Sequence, residues 1–266
     1  MDPHERRDVH RAGKLPAKLV YEVIRRDGAE ELERPLRSLV WSGIAAGIVI
    51  AFSVIAEAVF RTYLPSAPSS YLIENIGYTF GFLLVILGRM QLFTENTITT
   101  VLPLMARPSW FALGAVARLW AVVLAANVVG AFAIAALMAF TPAFPSDLTP
   151  ALVSLSEHAT GFGPVEGFAR AIPAGILVAA IVWMMPASPS NAFAIIFAFT
   201  WLIAAGDFTH VVAGSVEMAY LVWLGDLGLW TGFSTFFVPV LLGNIVGGTV
   251  VFALMAWGQV KDELSD

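Results

Sequence analysis

The chain contains no cysteine, which excludes disulfides, thiolate metal sites and cysteine nucleophiles. It is also poor in charge. Only 13% of its 266 residues are charged, too few to cover a soluble domain of this length. The first 38 residues are polar and basic with no early apolar core, so no cleavable signal peptide is expected. No metal-ligand cluster, nucleophile–base pair or phosphate-binding loop stands out. An enzyme is therefore not expected, nor is a cofactor or metal. The net charge of -5 decides little, because the charges are unevenly placed.

What the chain has instead is apolar blocks. Hydrophobic residues make up 58% of it and the mean hydropathy is +0.77. The blocks are about 20 residues long, the length an α-helix needs to cross roughly 30 Å of hydrocarbon. Six membrane spans are predicted: Ser38–Phe60, Tyr71–Leu104, Ser109–Phe140, Val165–Met185, Ser190–Trp223 and Phe233–Trp257. The second, third and fifth exceed one bilayer thickness, which predicts tilt or interruption. Trp110, Trp183, Trp223 and Trp257 fall near span ends, as an aromatic belt would.

Basic residues set the expected orientation. Arg6, Arg7, Arg11, Lys14, Lys18, Arg25, Arg26, Arg34 and Arg37 all precede Ser38, which places the N-terminus in the cytoplasm. Arg107 lies in the short loop after span two. The loop Thr141–Pro164 has no Lys or Arg, and Lys261 follows the last span. Arg61 is a minor exception. Both termini are thus expected on the cytoplasmic side of a bacterial inner membrane. The expected organisation is a cytoplasmic segment (1–37), a six-helix channel domain (38–257) and a cytoplasmic tail (258–266). Within the first segment, Leu19, Val20, Val23 and Ile24 could form one stripe of a short helix over Pro16–Glu33, on the membrane surface or capping a pore. The other reading is a solvated basic tail.

The two halves of the chain repeat each other. The run Ala45 to Ala51 in span one resembles Pro173 to Ala179 in span four. Phe93-Thr94 is matched to Phe208-Thr209, and Asn127 to Gly130 is matched to Asn244 to Gly247. Thr94 to Asn127 is 33 residues and Thr209 to Asn244 is 35. Three spans per half is odd, so the second half must insert upside down, and a site is expected near the midplane between two broken helices. The breaks are read at Gly88 to Asn96 and at Gly206 to His210.

His210 is the sharpest candidate, as the one histidine inside a predicted span. Thr94, Asn96 and Thr209 are its expected partners, with Gln91 and Glu95 beside them. The threonines could touch a permeant or cap the half-helices. Leu92, Phe93 and Phe208 are candidate apolar constrictions, or ordinary packing. Asn127 and Asn244 are expected to satisfy backbone freed at the breaks. Arg89, Glu57, Asp207 and Glu217 are charges inside spans, and Arg89 paired with Glu57 or Glu95 is a plausible structural bridge.

With these motifs the chain resembles the formate/nitrite transporter family over about residues 38–257. The resemblance rests on Gly88 to Thr94, the run Gly206 to Glu217 around His210, Ile181-Val182-Trp183-Met184, and Leu242 to Gly248. The wording Gly88 to Thr97, with the long basic N-terminus, is similar to the YfdC-like branch. The resemblance implies an all-α, aquaporin-like fold with broken second and fifth helices and an inverted 3+3 repeat. It implies a homopentamer with one pore per protomer, passing small monovalent anions or their conjugate acids such as formate, nitrite or hydrosulfide. His210 lines up with the family's central pore histidine, Thr94 with the threonine of its broken second helix, and Phe208 with the aromatic residue two before that histidine. Four positions depart from the family pattern. Gln91 replaces an acidic residue, Glu95 a Gly or Ser, and Gly214 an Asn. Glu166, with Arg170 one turn later, falls where a central lysine is common.

The leading expectation is a passive or proton-coupled permease for a small weak-acid anion, working through His210, with membrane lipid as its other partner and no nucleic acid. A channel for a neutral solute or cation, its filter reshaped by Glu95 and Gln91, is the alternative. A non-conducting membrane scaffold or sensor is a third.

Overall fold

The computed structural model describes residues 15–264, and every regular element among them is helical. Helix α1 (Ala17–Glu33) stops because Pro35 forces Arg34 into extended backbone (φ -61°, ψ 138°). Next come α2 (Leu36–Tyr63) and α3 (Pro68–Leu87), the latter carrying a turn at 75–78. After a break come α4 (Phe93–Thr99) and α5 (Val101–Ala106). The long α6 (Trp110–Phe140) is N-capped by Ser109, whose Oγ accepts from the Ala112 N–H. The second half holds α7 (Thr149–Thr160), α8 (Pro164–Met184) and α9 (Ala192–Ala205), then a second break and α10 (Val211–Leu224). The chain closes with α11 (Leu229–Val260), which contains two π-helical stretches, Gly232–Phe237 and Val246–Ala253.

Five of these helices are long and apolar enough to cross a bilayer: α2, α3, α6, α8 and α11. The chain is an integral membrane protein. The apolar helices flanking the second break are shorter, over Pro189–Ala205 and Val211–Leu224. The loop expected over Thr141–Pro164 is corrected, since it contains α7. Leu148, Ala151, Leu152 and Leu155 are buried at helical spacing and pack on α10 and α2.

The two halves share one packing unit. A Cβ on Gly47 would lie 2.0 Å from the Asn127 carbonyl oxygen, and one on Gly175 would lie 2.4 Å from that of Asn244. Gly130 stands to the Ile44 carbonyl as Gly247 stands to that of Ile172. A Cβ on Gly43 would meet the Ala126 Cβ at 2.6 Å, and one on Gly243 the Ala171 Cβ at the same distance, with glycine and alanine exchanged between halves. Small residues thus let α2 cross α6, and α8 cross α11, with backbones touching.

Helix α1 is docked rather than solvated, which corrects the tail reading for residues 15–33. Its buried stripe is Val20, Tyr21, Ile24 and Gly28, whereas Leu19 and Val23 are exposed. Gly28 rests directly on the Thr99 carbonyl, so α1 lies against α4 and α5. Glu22 accepts from Arg25 and Arg26 at 2.7 and 2.8 Å, and the Arg25 hydrogen bonds hold its carboxyl down to about 2. Lys18 donates to the Glu263 carbonyl, tying α1 to the end of the chain. Arg6, Arg7, Arg11 and Lys14 lie outside the described residues.

Candidate functional site

Both breaks are built the same way. Helix α3 ends at Leu87 and α9 at Ala205. Each is followed by a glycine, Gly88 or Gly206, and then by a residue with positive φ: Arg89 at 52° and Asp207 at 57°. Met90 N–H returns to the Val85 carbonyl (3.0 Å) and Arg89 N–H to that of Ile86 (3.1 Å). Phe208 N–H returns to Ile203 and Asp207 N–H to Ala204, each at 2.9 Å. These are Schellman closures with a non-glycine residue in the left-handed position, which costs about 1–2 kcal/mol each.

The chain then runs extended through Leu92 and His210 and restarts as helix. Asparagines hold the restart. Asn127 Oδ1 accepts from Phe93 N–H (2.9 Å), while its Nδ2 donates to the Gln91 and Gly43 carbonyls. Asn244 Oδ1 accepts from Val211 N–H (2.8 Å), and its Nδ2 donates to the Thr209 and Ala171 carbonyls. Both asparagines are fully buried and complete backbone that no helix satisfies.

These hydrogen bonds fix the register of the repeat and correct one match. Gln91 is the counterpart of Thr209, Leu92 of His210, and Phe93 of Val211. The pairing of Phe93-Thr94 with Phe208-Thr209 is therefore three residues off. Repeated letters suggested it, but backbone geometry governs.

His210 joins the two breaks. Its Nδ1 accepts from the Ala213 N–H (3.2 Å), capping α10. An acceptor nitrogen carries no proton, so Nε2 bears the hydrogen and donates to Thr94 Oγ1 at 2.7 Å. Phe82 stands edge-on to the imidazole with centroids 4.9 Å apart. Thr94 is fully buried, and His210 nearly so.

Two cavities approach this contact. The first, about 200 Å³, is lined by Phe208, Thr209, His210, Glu57, Glu217, Tyr78 and Phe236 among others. The second, about 410 Å³, is lined by Leu92, Gln91, Glu95, Asn96 and Arg89, with Asp27 and Glu31 of α1. Gln91 Nε2 donates to Glu31 (2.8 Å), and its Oε1 accepts from Asn96 Nδ2 (3.1 Å), so α1 closes over the second cavity. Burial raises the Asp27 carboxyl above its ordinary range, an effect opposed by nearby Arg89.

The other candidates fall out as follows. Thr209 lines the first cavity but donates to the Gly167 carbonyl (2.9 Å), anchoring the break on α8. Phe93 lies edge-on to Trp120 with centroids 5.6 Å apart and lines neither cavity. Arg89 and Glu57 line different cavities, which corrects that suggested bridge. Arg170 instead reaches Asp207 (3.0 Å) and Glu166 (2.8 Å), and His158 bonds the other Asp207 oxygen (2.8 Å). Sequence reasoning missed Phe236. Its ring occupies the space over Gly214 beside His210. The signal was the glycine itself, four residues after the histidine.

The sequence profile of the family described as "Formate/nitrite transporter" matches residues 18–258. The chain is 44% identical over 256 residues to the "Inner membrane protein YfdC" of Escherichia coli (strain K12), covering 95% of this chain and 82% of that one. It is 28% identical to the "Formate channel FocA" of Haemophilus influenzae, covering 82% and 84%. Among solved structures, the fold is similar to an "FNT family ion channel" (TM-score 0.78, 21% identity, 90% of this chain and 98% of that one). It is also similar to a "Pentameric formate channel with formate bound" (TM-score 0.72, 21% identity, 85% and 97%).

Proposed function

Because the chain belongs to the formate/nitrite transporter family, we propose that it is a membrane channel or permease for small monovalent anions or their weak acids, with a path that passes Thr94 and His210. The observation that carries this reading is the buried 2.7 Å contact between Thr94 Oγ1 and His210 Nε2, which joins the two breaks, with the first cavity reaching His210 and the second reaching Leu92 and Glu95 on either side of Thr94 in the chain. With Nε2–H donating to Oγ1, the Thr94 hydroxyl hydrogen is free for a permeant oxygen. An acceptor there polarises the whole chain of hydrogen bonds. Leu92 on one side and Phe208 on the other are the apolar constrictions. Protonating or hydrogen-bonding a small anion at this point removes most of its dehydration cost.

The assembly that fits is a homopentamer in a bacterial inner membrane, with one path per protomer. Each protomer crosses six times as an inverted 3+3 repeat, with both termini cytoplasmic. Segment 1–37 would then lie at the cytoplasmic mouth; the tail expected from residue 258 is corrected, since 258–260 complete α11 with Val260 buried.

The test is stopped-flow uptake of formate and nitrite into liposomes. His210→Asn keeps an acceptor for the Ala213 N–H but is too short to reach Thr94. Losing a buried hydrogen bond of this kind corresponds to about a tenfold fall in rate or more. Wild-type uptake in both His210→Asn and His210→Ala would rule out the histidine role. A second reading is favoured by Glu95, a carboxylate lining the larger cavity: a filter for a cation or neutral solute. Reversal potentials under salt gradients separate the two.

A further inference from the structure

Glu57 and Glu217 lie 160 residues apart in sequence and converge on the cavity that ends at His210. They are 6% and 7% exposed. Neither carboxylate has a hydrogen bond or an ion pair among the described residues. The Tyr78 hydroxyl, on a side chain 7% exposed in the same cavity, also has no hydrogen-bond partner there. Three polar side chains, each more than nine-tenths buried, thus point into one small space with their hydrogen-bonding capacity unused.

The nearby cations are committed elsewhere. Arg61, one turn after Glu57 on α2, is bound to Glu74 of α3 at 2.7 Å and to Ser154 of α7. Arg170 of α8 is held by Glu166 and Asp207, and His158 of α7 bonds the same aspartate. The other titratable groups facing the cavity are Tyr71 of α3 and His210 itself. An ionised pair would place two negative charges, neither in an ion pair, on the route of an anion.

We propose that Glu57 and Glu217 together hold an exchangeable proton, and that this carboxyl pair protonates a weak-acid anion before it meets His210. The inference rests on the permease reading above. The O–H bond of the Glu carboxyl breaks, and an O–H bond forms on the permeant oxygen. The neutral acid moves on past Phe208, and the carboxylate left behind takes up a proton from bulk hydronium, relayed through water at the cavity mouth. No electrons change hands. Tyr78 donates its hydroxyl hydrogen to the transient carboxylate.

The experiment uses the full chain in liposomes and compares wild type, Glu57→Gln, Glu217→Gln and the double variant. Two readouts are needed. Infrared difference spectra report the C=O band of a protonated carboxyl in a buried site. Stopped-flow uptake of formate between pH 5 and pH 8 reports use of the proton. The expected result is a protonated-carboxyl band at pH 7 that is absent from the double variant, with uptake about tenfold slower at pH 7 and nearly unchanged at pH 5, where the acid form is more abundant in bulk. Each single variant should fall between, with its uptake profile displaced toward acid. A wild type without that band overturns the shared proton. A band lost with no change in the uptake profile overturns its role in permeation. A wild type that moves no weak acid overturns the permease reading and the relay with it, while the band still reports whether the pair holds a proton.

Discussion

At the residue scale, the breaks are held by a few side chains whose loss is costly. Asn127 makes three buried hydrogen bonds to backbone. Asn127→Ala leaves those groups unsatisfied and should lower stability by about 3 kcal/mol or more, read as a large fall in Tm of the solubilised protein. Asn244→Ala should match it, because its three bonds are the same. Arg89 is exposed, makes no ion pair among the described residues and carries a positive φ. Arg89→Gly should therefore raise stability by about 1 kcal/mol. Asp207→Gly relieves the same backbone but removes the partner of Arg170 and His158, so it should not.

At the element scale, α1 carries two carboxylates of opposite tendency, both outside the membrane-spanning helices. Glu22 is held down to about 2 by Arg25 of the same helix, so its contribution to the stability of α1 itself is full above its ordinary value of 4.5 and fades as pH falls toward 2. Asp27 is raised by burial, so its contribution is full below 3.8 and is lost as pH rises through its raised value. Asp27→Asn should therefore tighten α1 at neutral pH and do nothing below pH 3.8. Hydrogen exchange over Ala17–Glu33 measures this. The gain should stay under about 1 kcal/mol, because partly exposed groups are screened. Gly28→Ala should release α1 outright, since a Cβ there would collide with the Thr99 carbonyl, and limited proteolysis before Pro35 detects it.

Elements were legible in proportion to how far their signal was local. The apolar blocks announced the long helices, and glycine followed by polar residues in an apolar run announced both breaks. The pairing of Ala45–Ala51 with Pro173–Ala179 was readable because helix crossings demand small residues at fixed places. The break register was not, because Gln91 and Thr209 share a backbone role and no side-chain chemistry. Glu57 with Glu217 was invisible for a different reason: only the fold brings them to one cavity. The docked face of α1 was missed because Tyr21 and Gly28, not Leu19 and Val23, complete its stripe.

At the scale of the whole molecule, large apolar side chains such as Trp41, Trp110, Phe111 and Trp230 remain exposed on one chain. Such faces are for lipid or for further copies. Native mass spectrometry from lipid nanodiscs should count five chains per particle, as the proposed homopentamer requires. A particle of one chain would leave these faces to lipid alone.

The frame of this protein is twofold and its contents are not. Leu92 and His210 hold the same place in the two halves, yet one is greasy and the other can hold a proton. In the permease reading, traffic in one direction meets leucine before imidazole, and traffic in the other meets them reversed. The fold thus supplies a near-palindrome, and the letters that differ at matched places give the passage a front and a back.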